Sequence, residues 1–148
     1  MFGSIVVGTD GSETANQAVK EAIGIAKALG ARIEIVSAYE PVSGTRLREE
    51  AKQAPADLEW MVNERADVEV TLSEAKERAT NAGVTDVRTY GRQGDPADAI
   101  LDVAEEFGSD LIVVGNKGMT GAKRFLLGSV PNKISHHAPC SVLIVRTT

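Results

Sequence analysis

The five residues Asp110–Val114, DLIVV, constrain the fold of this chain more than any other stretch. Successive strand side chains point to opposite faces, so the run Leu111–Val114 presents apolar groups on both sides of a strand. Such a strand needs cover on both faces, which a parallel sheet layered between helices supplies. The rest of the chain supplies further strands and helical crossings. Ser4–Gly8, Arg32–Ala38, Asp86–Tyr90 and Ser141–Val145 read as strands. Ala15, Ala18, Val19, Ala22, Ile25, Ala26 and Leu29 recur at helical spacing, with Gly30 as a stop. Val68, Leu72, Ala75 and Ala79 predict a second helix ending at Gly83. Asp95 is placed to cap a third helix, with Pro96 in its first position. A short helix is expected near Val130–His137. From Glu40 to Asp67 the chain is polar, contains Pro41, Gly44 and Pro55, and has no steady period. It is expected to be a long loop with one short helix, and loops of that length in compact domains tend to be functional.

Five strands joined by helical crossings predict an α/β fold, a single doubly wound parallel sheet flanked by helices in one domain spanning 1–148. Ligands of such sheets bind beyond the carboxyl ends of the strands, where the strand order reverses. The loops after Gly8, Ala38 and Val114 are therefore the places to look for a site.

Composition narrows the function classes. The 148 residues are 43% hydrophobic and 25% charged, as expected for a soluble globular domain. A net charge of −5 repels phosphate backbones and argues against general nucleic-acid binding. Cys140 is the single cysteine, so no intramolecular disulfide forms. No run reaches the roughly 20 apolar residues of a membrane helix. The opening MFGSIVVG lacks a basic segment ahead of a long apolar one and reads as a strand, so a cytoplasmic location is expected. His136 and His137 are expected to end the last helix, where positive charge is favourable, and no metal-ligand spacing surrounds them. Cys140 is expected to begin the last strand as a buried apolar residue.

The segment Gly115–Ser129, GNKGMTGAKRFLLGS, follows the central strand directly. Gly115 and Gly118 form a GxxG pair, and nine residues later come Gly128 and Ser129 at the start of a helix. Glycines let backbone N–H groups approach phosphate oxygens, and a helix N-terminus favours an anion. Lys117, Lys123 and Arg124 add positive charge to the same loop, although such side chains are more often solvated surface groups. Neither GxxxxGK[ST] nor GxGxxG occurs, so this is neither the P-loop nor the dinucleotide fingerprint.

Three stretches, SIVVGTDGSETA, DLIVVGNKG and RFLLGSVPNKISHHAPCSVLIVR, resemble the universal stress protein family in its ATP-binding branch. They follow one another in the family's order and spacing. The resemblance covers the chain and is loosest over Glu40–Asp67. It implies a five-stranded parallel sheet in the order 3-2-1-4-5 and a homodimer joined through the last strand. It also implies an adenine nucleotide near the ends of strands one and four. Asp10 matches the acidic residue beside the nucleotide; Gly115, Gly118, Gly128 and Ser129 match the phosphate-binding positions. Ala38 aligns with the residue whose backbone reads the adenine edge, where the family often has Val. Thr9, Lys117 and Val130 complete the expected contacts. ATP with magnesium held through the phosphates is the expected ligand. The stretches IVSAYEP and AKERATNAG also resemble the cyclic AMP or AMP branch.

The opening loop, Thr9 to Thr14, admits other readings. Thr9, Gly11, Ser12 and Thr14 are like the phosphate loop of flavodoxins, but a flavin site stacks aromatic rings, and aromatics make up 4% of this chain. Asp10 would repel a phosphate and suits a ribose hydroxyl or a metal bridging phosphates. A plain turn that caps the first helix through Ser12 or Thr14 is the competing reading. Turnover is expected to be weak at most. Ser129 and Thr120 are positioned as phosphoryl acceptors, but no general base is apparent. No membrane or nucleic-acid partner is expected.

Overall fold

The computed structural model describes residues 1–39, 64–116 and 127–147. In chain order these form β1 (Ser4–Gly8), α1 (Glu13–Leu29), β2 (Arg32–Tyr39), α2 (Glu64–Ala82), β3 (Val87–Gln93), α3 (Pro96–Glu106), β4 (Leu111–Gly115), α4 (Ser129–His137) and β5 (Ser141–Val145). The five strands make one parallel sheet in the order β3-β2-β1-β4-β5, as the sequence resemblance implied. β1 and β4 run side by side at its centre, with Ile5 opposite Leu111 and Val7 opposite Val113.

Strand alternation divides the core into two layers. Ile5, Val7, Ile33, Ile35, Leu111 and Val113 face α1 and α2. Val6, Val36, Ile112 and Val114 face α3 and α4. The helical spacings match these layers: Ala18, Val19, Ala22 and Ala26 of α1 are buried, as are Val68, Leu72, Ala75 and Ala79 of α2. Ser12 Oγ accepts the N–H of Ala15 at 3.2 Å and caps α1. Asp95 Oδ2 accepts the N–H of Asp98 at 3.1 Å and caps α3, with Pro96 in the first turn, as predicted.

Two expected boundaries move by more than one residue. α2 begins at Glu64, so residues 64–67 are helix rather than loop. The extra turn lets the Arg65 guanidinium lie 5.8 Å over the Tyr39 ring, a cation–π contact that ties α2 to the end of β2. The remainder of the expected loop, with Pro41, Gly44, Pro55 and Trp60, lies outside the described residues. β3 runs to Gln93 instead of Tyr90, because its ladder with β2 continues as far as Tyr39 opposite Gln93. Cys140 sits just before β5 and is half-buried. Burial, with the Asp110 charge as a smaller cause, pushes its thiol up. His136 and His137 are exposed in the last turn of α4. No helix among the described residues is long and apolar enough to cross a membrane.

The amino ends of the strands are closed by a polar lock that no sequence motif announces. Glu34, the third residue of β2, is 0% exposed. Its Oε1 accepts from Arg32 Nε at 2.7 Å and from Ser4 Oγ at 3.1 Å, and its Oε2 accepts from Ser109 Oγ at 2.8 Å. Arg32 Nη2 also donates to the Phe107 carbonyl at 3.3 Å. The lock thus joins β1, β2 and the turn between α3 and β4. Removing one member of a buried ion pair leaves its partner's charge uncompensated. Arg32→Ala is expected to lower unfolding stability by about 3 kcal/mol in urea titrations; a loss below about 1 kcal/mol would show that water takes over the role of the guanidinium.

Beside this lock, Asp110 accepts from the N–H of Gly3 at 2.9 Å and from that of Ser4 at 3.1 Å. Burial is the largest single influence and pushes its carboxyl upward, but these two hydrogen bonds, its own backbone N–H and the N-terminal charge together hold it below the ordinary 3.8. A depressed carboxylate stabilises the fold above its unfolded pKa, and that contribution disappears as the pH falls through the folded value. The stability advantage of the parent over Asp110→Asn is therefore expected to be constant near neutrality and to shrink below about pH 4. Denaturation midpoints measured between neutral and acid pH check this, and a difference that does not change with pH contradicts it.

Candidate functional site

At the carboxyl end of the sheet the strands finish at different heights. The β1–β2 ladder ends with the Thr9 N–H donating to the Val36 carbonyl at 2.9 Å, while β2 continues to Tyr39. Backbone polar groups of successive residues in a parallel ladder point to alternate edges. Val36 bonds toward β1, and Tyr39 bonds the other way, its carbonyl accepting from the Gly94 N–H at 2.8 Å. The N–H and C=O of Ala38 therefore face the side where β1 has stopped. They form a main-chain donor and acceptor side by side, past the end of the central strand.

Ala38 lines a cavity of about 130 Å³. Gly8, Thr9 and Asp10 line it from the end of β1, and Ser12, Thr14 and Ala15 from the start of α1. Val36 and Ala38 come from β2, Val114 and Gly115 from β4, and Pro96 and Ile100 from α3. Val130 and Pro131 of α4 complete the wall. The crevice sits where the chain reverses direction across the sheet, between β1 and β4.

Of the residues singled out from sequence, Thr9, Asp10, Ala38, Gly115 and Val130 are brought together on this cavity. Gly128 and Ser129 stand immediately before Val130 at the head of α4. Gly128 occupies the N-cap position without a side-chain cap, and its N–H donates to the Asn116 carbonyl at 2.9 Å. Among the described residues no side chain caps the N–H groups of the first turn of α4, which makes that turn suited to an anion. Lys117 and Gly118, with Thr120, Lys123 and Arg124, lie outside the described residues.

The opening loop serves two purposes at once. Asp10 Oδ1 accepts the Ser12 N–H at 2.9 Å, and Thr9 Oγ1 accepts the Gly11 N–H at 3.1 Å. These bonds shape the turn, and Ser12 caps α1, so the capping reading holds for Ser12. Asp10 itself is exposed at the rim, with a second carboxylate oxygen for other donors. Gly11 has φ +82°, and a Cβ there would stand 2.8 Å from Thr71 Oγ1 of α2, so the turn needs glycine for conformation and for space. Between α3 and α4, Lys133 bridges Asp95 at 3.4 Å and Asp98 at 2.8 Å. The hydrogen bond to Asp98 is the largest cause of its raised pKa.

Sequence reasoning missed the apolar floor formed by Val36, Pro96, Ile100, Val114 and Pro131. The helical period could have placed Ile100 inward, with Ala97 and Val103. Nothing in one sequence tells which core residue ends at a cavity.

A model described as the universal stress protein family matches residues 1–146. Universal stress protein Rv1636 of Mycobacterium tuberculosis (strain ATCC 25618 / H37Rv) is 42% identical, over 99% of this chain and 98% of the relative. A crystal structure of a universal stress protein in complex with cAMP is 36% identical, covers 99% of each chain and superposes with a TM-score of 0.74. The universal stress protein UspA from Lactobacillus plantarum is 23% identical, covers 98% of each chain and reaches a TM-score of 0.80, a likeness of fold. With the fold, the crevice and a match over nearly its whole length, this chain belongs to the universal stress protein family.

Proposed function

We propose that the chain binds an adenine nucleotide in the β1/β4 crevice and acts as a cytoplasmic, homodimeric sensor of that nucleotide. The observation that carries this reading is the open donor–acceptor pair of Ala38 above an apolar slot, with the uncapped head of α4 nearby. Adenine presents an acceptor at N1 and a donor at N6, which complement a main-chain N–H and C=O. The slot is smaller than the roughly 300–1,000 Å³ of sites that enclose a whole drug-sized ligand. It suits one ring system, with ribose and phosphates outside. Asp10 at the rim suits the ribose hydroxyls, and Gly115, Gly128 and Ser129, with Lys117 and Gly118, would hold the phosphates. Val130 and Thr9 pack beside the nucleoside.

With ATP, a magnesium ion would ride on the phosphates, and Asp10 is the carboxylate nearest to meet it. The second reading is cyclic AMP, supported by the 36% identical relative crystallised with cAMP. One phosphate would then suffice at the head of α4. The lining described offers one carboxylate and three hydroxyls, side chains suited to holding a nucleotide.

Calorimetric titration with ATP plus magnesium and with cyclic AMP tests the reading. Saturable binding of at least one is expected. Asp10→Ala is expected to weaken it about tenfold, the cost of a lost hydrogen bond to a charged group. Absence of binding for both at millimolar ligand would overturn the proposal.

The dimer reading rests on β5, an edge strand that no other described strand pairs on its outer side and whose Leu143 is 38% exposed. A second copy pairing there would cover it. Sedimentation is expected to give a dimer for the parent chain and a monomer for Leu143→Asp; a monomeric parent at tens of micromolar would remove this part.

A further inference from the structure

A glycine is demanded by conformation where φ is positive, and Gly8, the last residue of β1, is not one of those positions. Its requirement is space. A Cβ on Gly8 would stand 2.3 Å from Cδ1 and 3.0 Å from Cγ1 of Ile100, and 4.0 Å from the Val36 carbonyl oxygen. Ile100 therefore occupies the volume that a side chain on β1 would fill. Both residues line the crevice, and Ile100 is 4% exposed.

We propose that Ile100, seated against the bare backbone of Gly8, sets the depth of the slot and thereby selects which bases fit. The inference rests on the reading of the crevice as a nucleotide site. Three features make this wall stiff enough to discriminate. Ile100 belongs to the same core layer as Val36, Val103 and Val114, so it is packed from behind and from the sides. The Asp95 cap fixes the first turn of α3. Lys133 ties that turn to α4 through Asp95 and Asp98. Ile100 and Ala38 line the same crevice, so a ring oriented by the main chain of Ala38 shares its slot with the Ile100 side chain. Interiors tolerate neither an added methyl nor a removed one without a response, so a small change at either residue is transmitted to the slot.

The test compares the parent chain with Gly8→Ala, Ile100→Val and the double variant, all titrated with ATP plus magnesium and with cyclic AMP. Thermal melts first establish that each is folded at the assay temperature. A methyl at Gly8 is relieved most cheaply by turning Ile100 Cδ1 into the slot. Gly8→Ala is therefore expected to weaken binding about tenfold, Ile100→Val to change it less than about threefold, and the double variant to return to within about threefold of the parent. In a second arm, Ile100→Ala is expected to shift preference about tenfold toward an analogue enlarged on the ring away from N1 and N6, 8-azido, relative to the plain nucleotide. A folded Gly8→Ala with parental affinity overturns the proposal. So does an Ile100→Ala variant with parental selectivity, and this arm decides alone if Gly8→Ala does not fold. If the parent binds neither nucleotide, the nucleotide reading falls and takes this inference with it. If the parent binds and selectivity does not move, only this inference falls.

Discussion

The fold depends on keeping two central strands, β1 and β4, dry on both faces. A backbone that is buried on all sides must place each N–H and C=O in a ladder and each side chain in a packed layer. β1 meets both demands only with β2 on one edge, β4 on the other, α1 and α2 above, and α3 and α4 below. Once that sandwich exists, the chain has to leave β1 in one direction and return to β4 from the other. The crevice is the geometric residue of that reversal.

The two ends of the sheet settle their exposed backbone in opposite ways. At the amino end, Arg32, Glu34, Ser4 and Ser109 fill the space and satisfy one another, and Asp110 takes the first N–H groups of β1. That end is finished. At the carboxyl end, β2 outruns β1, α4 begins without a side-chain cap, and the apolar layer ends in a cavity. Polar capacity is spent on stability at one end and held in reserve at the other, which agrees with placing the ligand at the carboxyl end.

The two-layer plan was legible because periodicity reports burial directly. The spacing of Val68, Leu72, Ala75 and Ala79 in α2 puts four apolar groups on one helical face, and the unbroken run Leu111–Val114 leaves no polar side to a strand. Capping by Asp95 and Ser12 was legible because it is local. The limits of β3 were not, since Gly91, Arg92 and Gln93 look like loop residues and are held in the strand only by pairing with β2. Glu34 was overlooked for a related reason. A lone acid in RIEIVS shows its meaning only when Ser109 arrives from far along the chain. Thr9, Asp10, Ala38, Gly115 and Val130 line one cavity, whereas the Gly8–Ile100 contact depends on how closely α3 approaches β1, a distance that no motif records.

The overhang of β2 beyond β1 has a consequence for how such a protein diversifies. A donor and acceptor supplied by main chain are the same whatever side chain occupies position 38, proline excepted. Substitution there leaves the main-chain contact intact, and its effect on a ligand comes through the space that the side chain takes in the cavity. What would alter the reading is a change in where β1 stops relative to β2. In this architecture, strand length rather than residue identity carries that part of the specificity.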